Sequence, residues 1–357
     1  MLQQAKGLPQ KNKKFLGKIP KKYRRIYRSL TQKDTKLVLS LGGGGVRMFA
    51  HAAAFRFLES LGVEAYLSEI WGASAGAIVG ALYSHGQSPN DIEEEGLRVH
   101  NNSDHFPAIP SALKMAGRVL QDAFLPIQKK GPMKAFHDYQ MAFLNRLKEK
   151  IKDKVPRHKL YFTAYNLATN ENDILTPHQV PKTHAGLGVY HTETLEAVTA
   201  SSAIPILFKP KEIKDEFGKR QYMDGAMVEE VPMVSLYKKW RRDREMGLEK
   251  KRRLLVIAIH LNPSFTSMDF LQNWLVRRLP GYEYLFLSMN FANFMRKARN
   301  QAQRRALMED PNVELWEINL NLSNASLLNF EIIPEVIHNA ETSFPKQFEK
   351  INKSLLI

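Results

Sequence analysis

Short apolar runs alternate with amphipathic segments from residue 36 onward, and this alternation restricts the possible fold more than any other feature of the chain. Residues 37–41 are apolar except for Ser40, a run of four glycines follows, and helical periodicity then continues to Gly62. The same order of apolar run, glycine-containing turn and helical pattern recurs over residues 69–83. Strands that alternate with helices favour an α/β fold whose mainly parallel sheet is covered by helices on both faces.

The same patterns predict the later elements and two segments that interrupt them. Strands are expected at 159–165, 173–175, 221–223, 254–260 and 313–318, and helices at 134–152, 193–201, 281–308 and 334–356. Residues 100–133 contain four prolines, and residues 265–310 combine many aromatic side chains with a basic stretch. Both segments are interpreted as cap-like insertions between elements of the sheet.

Positive charge is concentrated at the N-terminus. The chain has 52 Lys and Arg against 36 Asp and Glu, a net charge of +16, and residues 1–33 contain eleven of the cations and no acidic residue. Residues 1–33 are therefore predicted to be a basic tail that precedes a domain over residues 34–357. Within the tail, four apolar side chains share one helical stripe after Pro20, namely Tyr23, Ile26, Tyr27 and Leu30. Such a helix fits an anionic membrane surface. A solvated tail is the alternative, and nucleic-acid binding is less favoured than either.

The absence of cysteine excludes several classes of protein. With no Cys among 357 residues, disulfides, thiolate nucleophiles, iron–sulfur clusters and sulfur-ligated zinc are all ruled out. We expect no metal and no cofactor. No apolar run is long enough to span a bilayer as a helix, and the first 30 residues lack a signal-peptide pattern. These patterns predict a cytoplasmic protein at the membrane periphery, although export without a cleaved signal is left open. They leave the oligomeric state undefined.

The segment from Gly72 to Gly76 has the pattern G-x-S-x-G between a predicted strand and a predicted helix. A serine on such a tight turn needs small neighbours, and the turn presents its hydroxyl to a substrate carbonyl. The helix that follows directs its N-terminal dipole at the same place. Ser74 is thus a candidate nucleophile, while a turn that merely lets the helix pack against the sheet is an equally good interpretation of this motif alone.

The four glycines at positions 42–45, followed by Val46 and Arg47, lie between the first strand and the first helix. Successive glycines let backbone N–H groups converge on an anion. The run lacks the G-x-x-x-x-G-K-[ST] pattern and the full G-x-G-x-x-G pattern, which argues against nucleotide binding. An oxyanion hole beside Ser74 is the better interpretation.

A serine nucleophile needs a base, and the sequence offers two kinds. Asp224-Gly225-Ala226 follows the predicted strand at 221–223, so the carboxylate would lie at a strand end, although an ordinary Asp-Gly turn is an alternative. Among the 11 histidines, His260 fits the position of a triad base, because it ends a strand C-terminal to Ser74. His51 lies on the first helix and is more consistent with packing.

Four motifs occur in a diagnostic order: Leu41–Arg47, Gly72–Gly76, Ala197–Phe208 and Asp224–Ala226. In this order the chain resembles the patatin-like phospholipase family, over residues 36 to 235. The resemblance implies a three-layer α/β/α fold and a Ser/Asp dyad that works without histidine and without metal. Two positions depart from the family pattern: Met48 stands where glycine usually follows the arginine, and Ala226 is the third residue of D-G-G.

The resemblance also assigns roles to residues. It implies that Ser74 is the nucleophile and Asp224 the base, and that the amides of Gly43, Gly44 and Gly45 form the oxyanion hole. Four further residues are implied in supporting positions, namely Arg47, Gly72, Gly76 and Gly225. The segment Ala197–Phe208 is expected to line the acyl channel.

The implied function is a phospholipase A or lysophospholipase that cleaves fatty acyl esters of phospholipids or lysophospholipids through an acyl-serine. Two alternatives remain open at this stage. An acyltransferase would use the same dyad with water excluded. A catalytically weak membrane-binding or partner-binding module would keep only the fold.

Overall fold

The computed structural model describes residues 19–101, 144–204, 208, 210–215, 218–261, 301–320, 322 and 330–354. Most of the two predicted insertions, near 100–133 and 265–310, therefore lies outside the described residues. Residues 144–151 and 301–309 are helical, which agrees with the ends of the helices predicted at 134–152 and 281–308. The remainder of those two helices also lies outside the described residues.

Nine strands in the described part of the chain form one mixed sheet with the order β5-β4-β3-β2-β1-β8-β9. The strands are β1 Thr35–Leu41, β2 Leu67–Ala73, β3 Lys159–Asn166, β4 Glu171–Thr176, β5 Val189–His191, β6 Lys211–Asp215, β7 Gly218–Asp224, β8 Arg253–His260 and β9 Val313–Asn319. The path from β3 through β2, β1 and β8 to β9 is parallel throughout, as predicted. β4 and β7 instead pair antiparallel with β3, and β6 pairs antiparallel with β7.

The described helices cover both faces of this sheet. Those whose bounds lie within the described residues are α1 Arg24–Leu30, α2 His51–Ser60, α3 Ala75–Ser84, α4 Pro89–Asn101, α5 Thr194–Ser201, α6 Met233–Glu245 and α7 Ile333–Ser354. Alternate residues of β1 divide between two buried clusters: Leu37 and Leu39 pack with α2, α3 and α7, whereas Val38 packs with α6. This arrangement confirms the three-layer α/β/α fold.

The basic N-terminal segment is part of the folded domain from Ile19 onward, which corrects the predicted boundary after residue 33. The side chains of Ile19, Tyr23, Tyr27 and Leu30 are buried in the same cluster as α2 and α7. The Tyr23 ring meets the edge of Phe57, with the ring centroids 5.3 Å apart. The apolar stripe that would suit a membrane is thus covered by the protein itself. The fourth stripe residue, Ile26, lies outside the described side chains, and residues 1–18 lie outside the described chain.

The sheet register brings distant segments to one edge. β2 ends at Ala73, whose partner on β3 is Thr163, and the next residue of β3, Ala164, pairs with Asp224 of β7. β7 therefore occupies the position beside β3 immediately beyond the end of β2. The segments that follow β1 and β2, together with the end of β7, meet at the carboxyl edge of the parallel strands, where α/β proteins commonly bind ligands. No helix within the described residues has the length and apolarity to cross a membrane.

Candidate active site

Ser74 occupies a strained turn between β2 and α3. Its backbone has φ 53° and ψ −118°, a region that non-glycine residues rarely adopt and that costs about 1–3 kcal/mol. The flanking glycines make the turn sterically possible. A Cβ on Gly76 would lie 2.2 Å from the carbonyl oxygen of Leu41, and one on Gly72 would lie 2.6 Å from the backbone nitrogen of Ala77. The small residues therefore allow tight packing and a strained serine at once, so the two interpretations of this motif are compatible.

The Ser74 hydroxyl donates a hydrogen bond to Asp224, with 2.5 Å between Oγ and Oδ2. Both side chains are buried, at 6% and 5% exposed. The other carboxylate oxygen of Asp224 accepts a hydrogen bond from the Ala226 N–H at 2.9 Å. The departure from glycine at position 226 leaves this backbone contact in place.

The environment of Asp224 raises its pKa from the ordinary value of 3.8 to about 6. Burial is the main cause, and the hydrogen bonds from Ser74 and Ala226 oppose it. A carboxylate whose pKa lies near neutral pH is a stronger base than a solvated aspartate. The geometry and the electrostatics of this pair therefore suit proton transfer from the serine hydroxyl.

The glycine run lies beside Ser74. A Cβ on Gly43 would come within 3.2 Å of the Cβ of Ser74 and 2.8 Å of the Cβ of Ala226. The Gly43 N–H already donates to the carbonyl oxygen of Glu230 at 3.0 Å. Gly45 is the first residue of a 3-10 helix, and Gly44 immediately precedes it. N–H groups at the start of a helix have no hydrogen-bond acceptor within that helix. In the described part of the chain, no other residue accepts a hydrogen bond from the Gly44 or Gly45 N–H. The candidate oxyanion donors thus narrow from three amides to those of Gly44 and Gly45.

Arg47 follows the glycine run directly in the sequence and is buried. Its side chain is 2% exposed, and burial lowers its pKa while the nearby Glu230 carboxylate opposes that effect. The pKa of Glu230 is in turn raised by burial, against the charges of His260 and Arg47. The backbone carbonyl of Glu230 accepts the hydrogen bond from the Gly43 N–H, so Glu230 interacts both with the glycine run and with Arg47.

Neither histidine singled out in the sequence is the partner of Ser74. His260 ends β8 as predicted, and its Nε2 lies 3.2 Å from Oε1 of Glu317. The Nε2 of His51 lies 3.0 Å from the carbonyl oxygen of Gly42. Burial lowers the pKa of His51 to about 4, so the ring is neutral at neutral pH and its Nε2–H donates to Gly42. The packing interpretation of His51 is therefore correct, and the ring also anchors the glycine run.

The motif at Ala197–Phe208 is buried over much of its described part. Ala197, Val198, Ala200 and Ala203 have no exposed surface, so these four residues do not line an open channel, whereas Ile204 and Phe208 are partly exposed. Residues 205–207 and 209 lie outside the described chain. What the end of α5 does contact is the Ser74–Asp224 pair, through Ser201 and Ala203. Sequence reasoning missed these contacts. The signal that could have indicated them is the pair Ser201 and Ser202, two polar side chains within a largely apolar segment.

The fold and this site together define a class: a three-layer α/β/α protein that holds a buried serine–aspartate pair beside a glycine-rich loop at the carboxyl edge of its sheet. Residues 39–237, more than half of the chain, match the family model described as "Patatin-like phospholipase". The chain therefore belongs to the patatin-like phospholipase family, a family of lipid hydrolases. The resemblance inferred from the four motifs is confirmed.

Solved structures with similar folds include two bacterial proteins and one human protein. VipD from Legionella pneumophila is 12% identical with a TM-score of 0.40, and the match covers 88% of this chain and 67% of VipD. ExoU, solved with SpcU from the type III secretion system of Pseudomonas aeruginosa, is 13% identical with a TM-score of 0.34, covering 88% of this chain and 51% of that one. Human GIVD cytosolic phospholipase A2 is 13% identical with a TM-score of 0.31, covering 75% and 47%.

This chain thus spans about half the length of ExoU. At these identities and TM-scores the likenesses concern the fold alone. No curated protein sequence matches the chain significantly.

Proposed function

We propose that this protein hydrolyses fatty acyl esters of phospholipids or lysophospholipids, with Ser74 as nucleophile and Asp224 as general base. The observation that carries the proposal is the 2.5 Å hydrogen bond between the Ser74 hydroxyl and Asp224. A weakly acidic hydroxyl becomes a nucleophile when an adjacent base accepts its proton as it attacks. In the described part of the chain, the acceptor in contact with this hydroxyl is the Asp224 carboxylate, which favours a dyad over a triad.

The reaction follows from these contacts in two halves. Asp224 takes the Ser74 proton while Oγ attacks the ester carbonyl, and the N–H groups of Gly44 and Gly45 stabilise the oxyanion that forms. The intermediate collapses as Asp224 returns the proton to the leaving alcohol, which departs as a lysolipid or a glycerol derivative. Water then attacks the acyl-serine, giving up a proton to Asp224, and collapse frees the fatty acid while Ser74 regains its proton.

The basic N-terminus supports a further part of the proposal, contact with an anionic membrane surface. Tyr27 and Leu30 are buried within the protein, so α1 offers the surface its charges rather than an apolar face. Lys21 and Arg28 are exposed, and residues 1–18 add five lysines. Each cation near such a surface contributes about 1 kcal/mol. α1 lies before the start of β1, and the glycine run of the site lies after its end. The seven residues of β1 span roughly 23 Å between α1 and the site.

The test is product analysis by mass spectrometry after incubation with a mixed phospholipid extract. The wild-type protein should release free fatty acid and lysophospholipid, whereas Ser74→Ala should release neither above background. An added alcohol acceptor distinguishes hydrolysis from transfer. Acyl products on the acceptor, with no free fatty acid, would contradict hydrolysis. Equal products from the wild type and Ser74→Ala would contradict the assignment of the nucleophile.

A further inference from the structure

The C-terminal end of α5 contacts both members of the Ser74–Asp224 pair. The backbone N–H of Ser74 donates to the hydroxyl oxygen of Ser201 at 3.0 Å. The backbone N–H of Asp224 donates to the carbonyl oxygen of Ala203 at 3.0 Å. Two residues of one short segment thus hold two catalytic candidates that are 150 positions apart in the sequence.

Ser201 is fixed as well as buried. Its side chain has no exposed surface, and its hydroxyl donates to the carbonyl oxygen of Thr163 at 2.7 Å while it accepts from Ser74. Thr163 is the partner of Ala73 across β2 and β3, so the hydroxyl ties α5 to the sheet at the turn itself. Because its proton is committed to Thr163, the hydroxyl has its lone pairs directed at the Ser74 N–H.

The strained backbone of Ser74 gives this contact its importance. The Ser74 carbonyl is held by the N–H groups of Ala77 at 3.0 Å and Ile78 at 3.3 Å, whereas its N–H is held by Ser201. A residue in such a conformation persists only where the surrounding structure restrains it from several sides. Without the Ser201 oxygen, a buried N–H would lose its partner, and the turn could relax towards an ordinary backbone conformation.

We propose that Ser201 is a positioning residue that holds the Ser74 turn in its strained conformation, so that the Ser74 hydroxyl faces both Asp224 and the amides of Gly44 and Gly45. The proposal rests on the proposed function, because it presupposes that Ser74 is the nucleophile. The hydrogen bonds of the Ser201 hydroxyl go to the Ser74 backbone N–H and the Thr163 carbonyl, not to the Ser74 hydroxyl or the Asp224 carboxylate. It acts through the backbone of Ser74.

The neighbouring serine provides a matched control. Ser202 is also buried, at 8% exposed, but its hydroxyl donates to the Val198 carbonyl of its own helix at 2.8 Å. Ser201→Ala and Ser202→Ala remove the same atom from adjacent buried positions. They differ in whether that atom holds Ser74, and this difference isolates the positioning role from the general cost of an altered helix end.

The experiment compares kcat, KM and pH profiles of these two variants on a phospholipid substrate. Ser201→Ala should lower kcat roughly 10- to 100-fold with KM unchanged, since small misplacements of a reacting group have effects of that size. Ser202→Ala should stay within about 3-fold of wild type. The acid limb of kcat/KM should move to higher pH in Ser201→Ala, because the hydrogen bond from Ser74 lowers the pKa of Asp224 and a displaced Ser74 would weaken it. Urea unfolding should show both variants folded under the assay conditions, with Ser201→Ala the less stable of the two because the buried Ser74 N–H loses its partner.

Ser201→Cys keeps a γ atom at this position, somewhat larger than oxygen, but supplies only a weak acceptor, so it should reproduce the loss of kcat even where Ser201→Ala folds poorly. Equal kcat values and unshifted acid limbs for the Ser201 and Ser202 variants would overturn the positioning role. So would failure of both Ser201 variants to fold while Ser202→Ala folds, because the hydroxyl would then serve the fold as a whole. Ser74→Ala separates the two claims: full activity in that variant would overturn the proposed function itself, whereas an inactive Ser74→Ala leaves the Ser201 comparison as a test of positioning alone.

Discussion

Replacement of Asp224 by asparagine should abolish activity and stabilise the folded protein at neutral pH. Burial is the principal cause that raises the pKa of Asp224 from 3.8 to about 6, so the ionised carboxylate is disfavoured in the folded state. Asparagine has nearly the same shape and no charge. Its oxygen can accept from the Ala226 N–H, and its amide can donate to the Ser74 hydroxyl, so both contacts survive while the base is lost.

The sign and the pH range follow from the same pKa. Because the folded-state pKa is raised, the folded protein retains this proton after the unfolded chain has released it. The stabilisation is complete below about pH 3.8 and is lost as the pH rises through about 6. A pKa difference of this size corresponds to about 3 kcal/mol, as an order of magnitude. Asp224→Asn escapes this loss, so its advantage over the wild type should grow between pH 4 and pH 6 and then level off.

Urea unfolding of both proteins at pH values from 4 to 8 measures this difference, and other titrating groups cancel from the comparison. Asp243→Asn is the matched control, since Asp243 is equally buried but bonds Lys239 at 2.6 Å and His184 at 2.7 Å. Loss of that carboxylate leaves a buried lysine without its counter-charge and should destabilise the protein. An Asp224→Asn variant that is less stable than wild type at pH 8, or a difference that does not change with pH, would refute the reasoning.

Three further predictions concern the surroundings of the site. Gly225→Ala should lose most activity in a phospholipid assay, because the new Cβ would lie 2.1 Å from the Thr163 carbonyl oxygen and displace the adjacent Asp224. Leu30→Ala should lower the free energy of unfolding, measured in urea, by about 3 kcal/mol, because this side chain is buried. Since a buried side chain does not contact the membrane, equal amounts of the folded variant and the wild type should sediment alike with anionic liposomes. Burial lowers the pKa of His51 to about 4, so the free energy of unfolding should fall by up to about 3 kcal/mol as the pH falls from 6.5 towards 4. His51→Gln should weaken this pH dependence in acid unfolding curves.

Local patterns predicted the turns that carry the candidate site residues. A glycine run after an apolar strand and a serine between small residues each mark a turn, because few other residues fit such backbones. Local patterns did not predict that Ser74 pairs with Asp224, and only the family resemblance implied it. It depends on β7 running antiparallel beside β3 beyond the end of β2, and no short-range pattern encodes that register.

Sequence reasoning missed or misjudged three elements, for different reasons. β6 has the sequence Lys-Glu-Ile-Lys-Asp, and among its described side chains Ile213 alone is buried, so its strand character comes from pairing with β7 rather than from its own composition. α4 was not predicted, although Ser88 and Asp91 form a reciprocal capping box at its start. The periodicity of α1 identified its apolar stripe correctly but could not reveal what covers it. Tertiary contacts decided that point, and they turned an expected membrane face into core.

The central claim is that Ser74 is the nucleophile, and covalent labelling with a fluorophosphonate tests it most directly. The probe should add one mass increment to the intact wild-type protein, and peptide mapping should place it on the peptide that contains Ser74. Asp224→Asn should be labelled far more slowly, because the hydroxyl has lost its proton acceptor. Labelling of Ser201 or Ser202, or labelling of Asp224→Asn at the wild-type rate, would contradict the Ser74–Asp224 dyad.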